Sequence, residues 1–224
     1  MPERTIEDKL REEYFELLPN IRRVMWQLEA EIRYYTLPIL HSLKSYEQLV
    51  VKSRVKDCES ALTTLSRNKM GKENEGRTFD PERPGEYSML NLPDLAGVRV
   101  LVFLNSKLIE VDNALRDRFR SWTQKPVKNH RGEVLAPKYY GYCDEVSSSV
   151  RGEYQIVPML LGLFWEVEHS AMYKYKKLAR SKRMRKHRAD VELALSRFEE
   201  GVESFVRDYT EPSSAIPKQT PKSE

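Results

Sequence analysis

Two acids stand at the start of the chain's most apolar short segments. Asp94 opens DLAGVRVLVF at residues 94–103, and Glu153 opens EYQIVP at 153–158. Two carboxylates brought to one core sheet would hold a Mg2+ ion against a phosphate, the ion keeping part of its water. Beside them in the sequence are Arg54, Lys56 and Arg99, a set suited to neutralising a polyphosphate through guanidinium forks and an ammonium point charge. Arg99 is the most informative of the three. A charge inside a run such as VRVLVFL is costly to bury unless it is paired, so it must meet a carboxylate or a bound anion. The same two acids also fit a plain role as strand ends or turn caps, and position in the sequence does not separate the two roles.

Other side chains carry weaker signals. YYGYC at 139–143 offers aromatic faces beside a glycine, suited to stacking on a nucleobase or to lining a core. Glu168, His169, Tyr173 and Lys174 put polar groups on an otherwise apolar helix, where a lone histidine is commonly structural. The sequence contains no GxxxxGK[ST], GxGxxG, HExxH or GxSxG, so P-loop, Rossmann, zincin and α/β-hydrolase chemistries lack their signatures.

The elements that must position these groups follow from periodicity. Thr5, with Asp8 three residues on, predicts a capped first helix running to about Leu18. Pro19 predicts the opening of a second, with Ile21, Val24, Met25, Leu28, Ile32 and Tyr35 at helical spacing until Pro38. Alternation predicts a strand over 48–56, with Asp57 capping a helix from 58 to about 69. Residues 70–92 have no periodicity and read as a long loop. A strand buried on both faces follows at 98–104. Asn105 or Ser106 is expected to cap a helix carrying Leu108, Val111, Leu115, Phe119 and Trp122. After a polar stretch at 124–138, residues 153–157 read as a strand and Pro158 as the start of a helix to about Leu178. A last helix is expected over 188–208, with Val191, Leu195, Phe198, Val202 and Phe205 on one stripe, followed by a Pro- and Ser-rich disordered tail at 210–224. The amphipathic helices at the two ends suggest a homo-oligomer.

Composition sets the class. The 224 residues are 40% hydrophobic and 32% charged, enough for a real core under a charged exterior. VPMLLGLFW at 157–165 is the longest apolar stretch and is too short to span a bilayer, so no membrane partner is expected. MPERTIEDKLREEY lacks an apolar signal segment, and Cys58 and Cys143 form neither a disulfide framework nor a zinc motif, which together predict a cytoplasmic protein. The formal charge of +4 hides a local extreme: residues 174–188 hold nine Lys and Arg and no acid, a field suited to phosphates or nucleic acid and equally compatible with a solvated helix face.

Five of these segments, taken in order, resemble the successive motifs of RelA/SpoT-type alarmone synthetases: SRVKDCES at 53–60, DLAGVRVLVF at 94–103, GY at 141–142, EYQI at 153–156 and WEVEHSAMYK at 165–174. The flanking helices resemble those of the small, single-domain members. The resemblance implies an α+β fold, a nucleotidyltransferase-like mixed β-sheet flanked by helices. N-terminal helices would occupy residues 1–44, the synthetase-like region 45–180 and a C-terminal helix 181–209. It implies transfer of pyrophosphate from ATP to the 3′-hydroxyl of GDP or GTP with Mg2+ as cofactor. Arg54, Lys56 and Arg99 would then hold ATP phosphates, with Ser60 shaping the same site. Asp94 and Glu153 would bind the metal, Glu153 would activate the attacking hydroxyl, and Tyr142 would stack on guanine. Gln155, His169 and Lys174 would line the site.

The sequence also departs from that pattern. The family commonly continues as ExQxRT, whereas Val157 and Pro158 stand where Arg and Thr are usual. No histidine follows the GY pair, only ten residues separate Tyr142 from Glu153, and Thr64 stands where a lysine is common, with Arg67 and Lys69 nearby. Three functions therefore stay open: an alarmone synthetase with a remodelled acceptor pocket, a toxin-like relative acting on the tRNA 3′ end with residues 174–188 on the RNA backbone, and a degenerate nucleotide-binding or interaction protein.

Overall fold

The protein was analysed as a computed structural model. It describes residues 4–70, 79–80, 82–129, 131–143, 149–174 and 181–210, the side chains of 67–70 and 172–174 excepted. Among the described residues five helices flank a mixed five-stranded sheet: α1 (Ile6–Ser42), α2 (Cys58–Met70), α3 (Leu108–Arg118), α4 (Met159–Lys174) and α5 (Lys182–Thr210). The strands are β1 (Gln48–Val55), β2 (Ala96–Phe103), β3 (Thr123–Gln124), β4 (Val127–Lys128), β5 (Val134–Ala136), β6 (Lys138–Gly141) and β7 (Gly152–Pro158). The sheet order is β1-β2-β7-β6-β3, with β2 and β7 parallel and the other pairs antiparallel, while β4 and β5 form a separate hairpin. The α+β class with a mixed sheet is as the sequence predicts. Among the described residues no helix is long and apolar enough to cross a membrane.

The parallel β2–β7 pair explains the continuous apolar run of β2. Its one face, Val98, Val100 and Val102, packs with Tyr154 and Ile156 of β7 against Leu28 and Ile32 of α1 and Val111 and Leu115 of α3. A second cluster joins the first half of α1 to Ala61, Leu62 and Leu65 of α2 and to Met89, Leu92 and Leu95. The second half of the expected loop is therefore packed, with short 3-10 turns at Pro84–Glu86 and Met89–Asn91.

The N-terminal region corrects the sequence. It is one helix of 37 residues, with Pro19 and Pro38 inside it, rather than two helices. The capping box is as predicted, Thr5 Oγ1 accepting from the Asp8 N–H and Asp8 Oδ2 from the Thr5 N–H. An interior proline costs a helix about 3 kcal/mol. Here Leu10 and Tyr14 before Pro19, and Ile21, Val24 and Leu28 after it, all bury on one continuous face, each worth about 1.5–3 kcal/mol, so packing outweighs the lost hydrogen bond.

Two further expectations are corrected. The α3 cap is not Asn105 or Ser106: a 3-10 turn (Asn105–Lys107) precedes α3, and those two residues instead bind α5. Helix α5 begins at Lys182, six residues earlier than periodicity predicts, and only part of its apolar stripe turns inward, with Leu195 and Val202 half-buried on either side of Glu199. Val191, Phe198 and Phe205 are exposed, whereas Glu199 is buried, accepting from Asn105 Nδ2 at 3.0 Å and from the Leu160 N–H at 3.3 Å. Helix α5 thus docks by satisfying an otherwise orphan donor in the first turn of α4.

Candidate functional site

The site is a consequence of strand register. Arg54 of β1 pairs with Gly97 of β2, Gly97 with Glu153 of β7, Glu153 with Tyr140 of β6, and Tyr140 with Thr123 of β3. Paired residues share a face, so these five form one row across the whole sheet. Two residues along each strand, Lys52, Arg99, Gln155 and Lys138 form the next row on that face. The third row is apolar: Val50, Leu101 and Val157 follow in register. Leu161, Phe164 and Trp165 of α4 cover Leu101 and Val157. Two polar rows therefore lie beside a third that is roofed by a helix, and Glu166 of α4 also reaches Lys52 and Arg99 of the second row. Val157 sits fully buried under that roof, where an unpaired arginine would be costly.

Glu153 is 4% exposed and well supplied with partners. Its Oε1 accepts from Gln155 Nε2 at 2.5 Å, its Oε2 lies 3.7 Å from Lys138 Nζ, and it is hydrogen-bonded to the Tyr140 phenol. Burial and then the Glu153 and Asp94 charges push the Tyr140 hydroxyl well above the usual phenol range, so Tyr140 stays a donor facing both acids. Gly97 is the neighbour in the row that has no side chain, and the Arg54 side chain lies over it at 3.5 Å from where a Cβ would stand.

Asp94 lies just before β2. Its Oδ2 accepts from Lys56 Nζ at 2.6 Å, while its Oδ1 is buried with no hydrogen-bond partner. An orphan carboxylate oxygen in a buried position calls for a ligand. A hard divalent cation held by one or two carboxylates and by substrate phosphates fits that oxygen and the nearby Glu153. Among the described residues no group of three or more His, Cys, Asp or Glu is placed to hold a metal ion.

Arg99 meets the requirement its sequence context imposes. Its Nη1 lies 3.9 Å from Glu166 of α4, and its guanidinium sits over the Trp165 ring at 5.9 Å. Burial and the neighbouring Arg54 charge lower its pKa, against the pull of Glu166 and Glu153. Arg54 itself is exposed, and an anion bound beside the two guanidiniums would relieve their repulsion. Ser60 is in the first turn of α2, where its N–H donates to Asp57 Oδ1 at 2.9 Å, the predicted cap. Tyr142 is 46% exposed, at the end of β6. His169 is exposed on α4, one turn beyond Trp165 and Glu166, and is not in the two polar rows. The side chains of Lys174, Arg67 and Lys69 lie outside the described residues, as do residues 175–180 of the basic run.

Beside the Glu153 row, toward β3, is a cleft of about 480 Å³ lined by Ser121, Thr123, Lys125, Tyr140, Tyr142 and Arg151 together with Pro93 and Gly141. Its lining includes Tyr140, which is hydrogen-bonded to Glu153, and Pro93, the residue before Asp94. Lys138, Lys125 and Arg151 were not singled out by sequence, and Tyr140 only as one of the aromatic residues of YYGYC. The alternation Lys138, Tyr140, Tyr142 along one strand is the signal that marks the first two.

No protein-family profile and no curated protein sequence matches the chain. Solved structures do match it over most of its length. The small alarmone synthetase 1 from Bacillus subtilis bound to its product pppGpp has a TM-score of 0.67 at 18% identity, covering 88% of this chain and 98% of that one. The same protein bound to AMPCPP gives 0.61 at 19% identity, covering 89% and 99%. A GTP pyrophosphokinase family protein from Streptococcus pneumoniae gives 0.60 at 19% identity, covering 89% and 96%. With its mixed sheet, flanking helices and near-complete coverage of these structures, the chain has the fold of the small, RelA/SpoT-type alarmone synthetases.

Proposed function

We propose that this protein is an ATP-dependent pyrophosphokinase that transfers the β- and γ-phosphates of ATP to the 3′-hydroxyl of GDP or GTP. The observation that carries the proposal is the single row Arg54, Gly97, Glu153, Tyr140, which sets a cationic end, a buried carboxylate and an aromatic cleft side by side. It agrees with AMPCPP and pppGpp being the ligands named for the Bacillus subtilis structures.

The chemistry is positioning and charge neutralisation. Arg54, Lys56 and Arg99 hold the triphosphate at the β1–β2 side. Glu153 takes the proton of the acceptor's 3′-hydroxyl as its oxygen bonds to the β-phosphorus. The bond from that phosphorus to the α–β bridging oxygen breaks, and AMP leaves with the electron pair. Gln155 and Lys138 orient the Glu153 carboxylate. Asp94 and Glu153 would hold Mg2+, which neutralises charge on the transferring phosphates. Tyr142 provides the exposed ring on which the acceptor base stacks.

The test is incubation of the purified chain with Mg2+ and ATP labelled in its terminal phosphate, with GDP, GTP or deacylated tRNA in parallel and Glu153→Gln as control. Label in a guanosine nucleotide, lost in the variant, supports the proposal. Label in tRNA would move the activity to the RNA terminus, and no transfer to any acceptor would leave a binding protein.

A further inference from the structure

Helix α4 reaches past the apolar third row of the sheet. Gly162 lets it pack closely on β2, since a Cβ there would collide with the Leu101 side chain. One helical turn on, Trp165 and Glu166 meet the second row. The cations of that row on β1 and β2 are Lys52 and Arg99, paired directly in the antiparallel register, where like charges oppose each other. Glu166 stands with both. Its Oε2 accepts from Lys52 Nζ at 2.9 Å and its Oε1 at 3.1 Å, and Oε1 also lies 3.9 Å from Arg99 Nη1. Neither Lys52 nor Glu166 has a part in the transfer proposed above.

The three side chains are not equally fixed. Arg99 is the most buried of them, and its guanidinium also sits over the Trp165 ring at 5.9 Å, so it keeps a partner without Glu166. The side chains of Lys52 and Glu166 are 42% and 41% exposed. An ion pair open to water on that scale is worth little, whereas cation-to-phosphate hydrogen bonds are among the stronger ones. A polyphosphate on Arg99 would bring several oxygens to the same two cations and would repel the Glu166 carboxylate. Glu166 can turn outward without loosening α4, because Leu161, Phe164 and Trp165 make the packing on the third row.

We infer that Glu166 is a displaceable counterion: it holds Lys52 and Arg99 until the polyphosphate of ATP takes its place, and Lys52 then joins Arg99 on the phosphates. The inference rests on the pyrophosphokinase proposal for the identity of that polyphosphate. It makes Glu166 a residue that raises the ATP concentration the site requires, and Lys52 a cation held in reserve beside a third row that has none.

The experiment is calorimetric titration of the full chain in Mg2+ with AMPCPP and with inorganic tripolyphosphate, followed by steady-state kinetics. Glu166→Gln keeps the shape of a half-exposed side chain and removes its charge. It is expected to tighten binding of both probes about threefold and to lower the ATP KM while the acceptor KM holds. Lys52→Ala is expected to weaken both about fivefold. In the Lys52→Ala background Glu166→Gln should gain less than it does in the wild type, because one of the two contacts it releases is already gone. Weaker or unchanged binding in Glu166→Gln would overturn the inference, the first making Glu166 a residue that positions the cations for phosphate. An equal gain in both backgrounds would also overturn it, since overall charge alone would then account for the effect. Tighter tripolyphosphate binding in Glu166→Gln without any transfer would leave the displacement standing and remove the pyrophosphokinase proposal. Transfer with an unchanged ATP KM in Glu166→Gln would do the reverse.

Discussion

Lys56 Nζ donates to Asp94 Oδ2 at 2.6 Å while the other oxygen of the same carboxylate is buried without a partner. The pair joins the end of β1 to the start of β2, with the Lys56 N–H also donating to the Leu95 carbonyl at 2.9 Å. One oxygen of Asp94 thus ties the end of β1 to the start of β2, and the other is the one a cation would take under the proposed function.

Removing the lysine uncompensates a largely buried charge. Lys56→Ala is expected to cost about 3 kcal/mol of stability. Lys56→Ala with Asp94→Asn should recover most of that cost, because no unpaired charge remains. Mg2+ should raise the melting temperature of the single variant more than that of the double variant. Urea denaturation and a Mg2+ titration of the melting temperature check both; equal responses to Mg2+ would contradict a cation on Asp94.

Gly141 and Gly152 face each other across β6 and β7, above Trp122. A Cβ at residue 141 would stand 2.5 Å from two Trp122 ring carbons, too close for the backbone to keep its place. The Trp122 indole N–H donates to the Tyr142 carbonyl at 3.2 Å, so its displacement would carry the aromatic wall of the cleft with it. Gly141→Ala is expected to lose about 1–3 kcal/mol, as overpacked cores do, and to alter tryptophan fluorescence. Thermal melting and emission spectra are the readouts.

Val157→Arg would install the cation that the alarmone synthetase pattern carries. Val157 is fully buried with Leu101, Ala136 and Leu161 around it, so the variant is expected to be destabilised by more than 3 kcal/mol and to gain no activity. A stable variant with faster turnover would contradict the roofed third row.

Glu199 gives a pH dependence. Burial raises its pKa above 4.5, against the Asn105 and Leu160 donors, with Glu203 the like charge nearby. The folded chain therefore holds this proton to higher pH than the unfolded chain does. Stability from this group is full below the unfolded value and is lost as pH rises from about 4.5 through the folded pKa. Glu199→Gln keeps an acceptor for only one of the two donors, so it is expected to lower stability at all pH values and to remove that slope; urea midpoints measured at stepwise pH in wild type and variant would show it.

How much of this was legible in the sequence depended on element length. Arg99 inside an apolar run, Asp94 before it and Glu153 before the second run stood out because β2 and β7 have eight and seven residues. Strands β3 to β6 have two to four residues each, too short for alternation to register, and so Lys138 and Tyr140 passed as loop or core. Pro19 misled because its helical cost is local while the burial that overrides it is tertiary. The stripe on α5 was right for Leu195 and Val202, which turn inward, and wrong for Val191, Phe198 and Phe205; the polar docking contacts are made by Glu199 and Glu203, whose partners Asn105 and Ser106 lie about a hundred residues away.

The most direct test of pyrophosphoryl transfer is the bond that breaks. Phosphorus NMR of the wild-type chain turning over ATP and GDP in Mg2+ should show AMP and a guanosine 3′-diphosphate resonance growing at equal rates, both abolished in Glu153→Gln. Appearance of ADP with a singly phosphorylated acceptor, or consumption of ATP without a new guanosine product, would contradict the account.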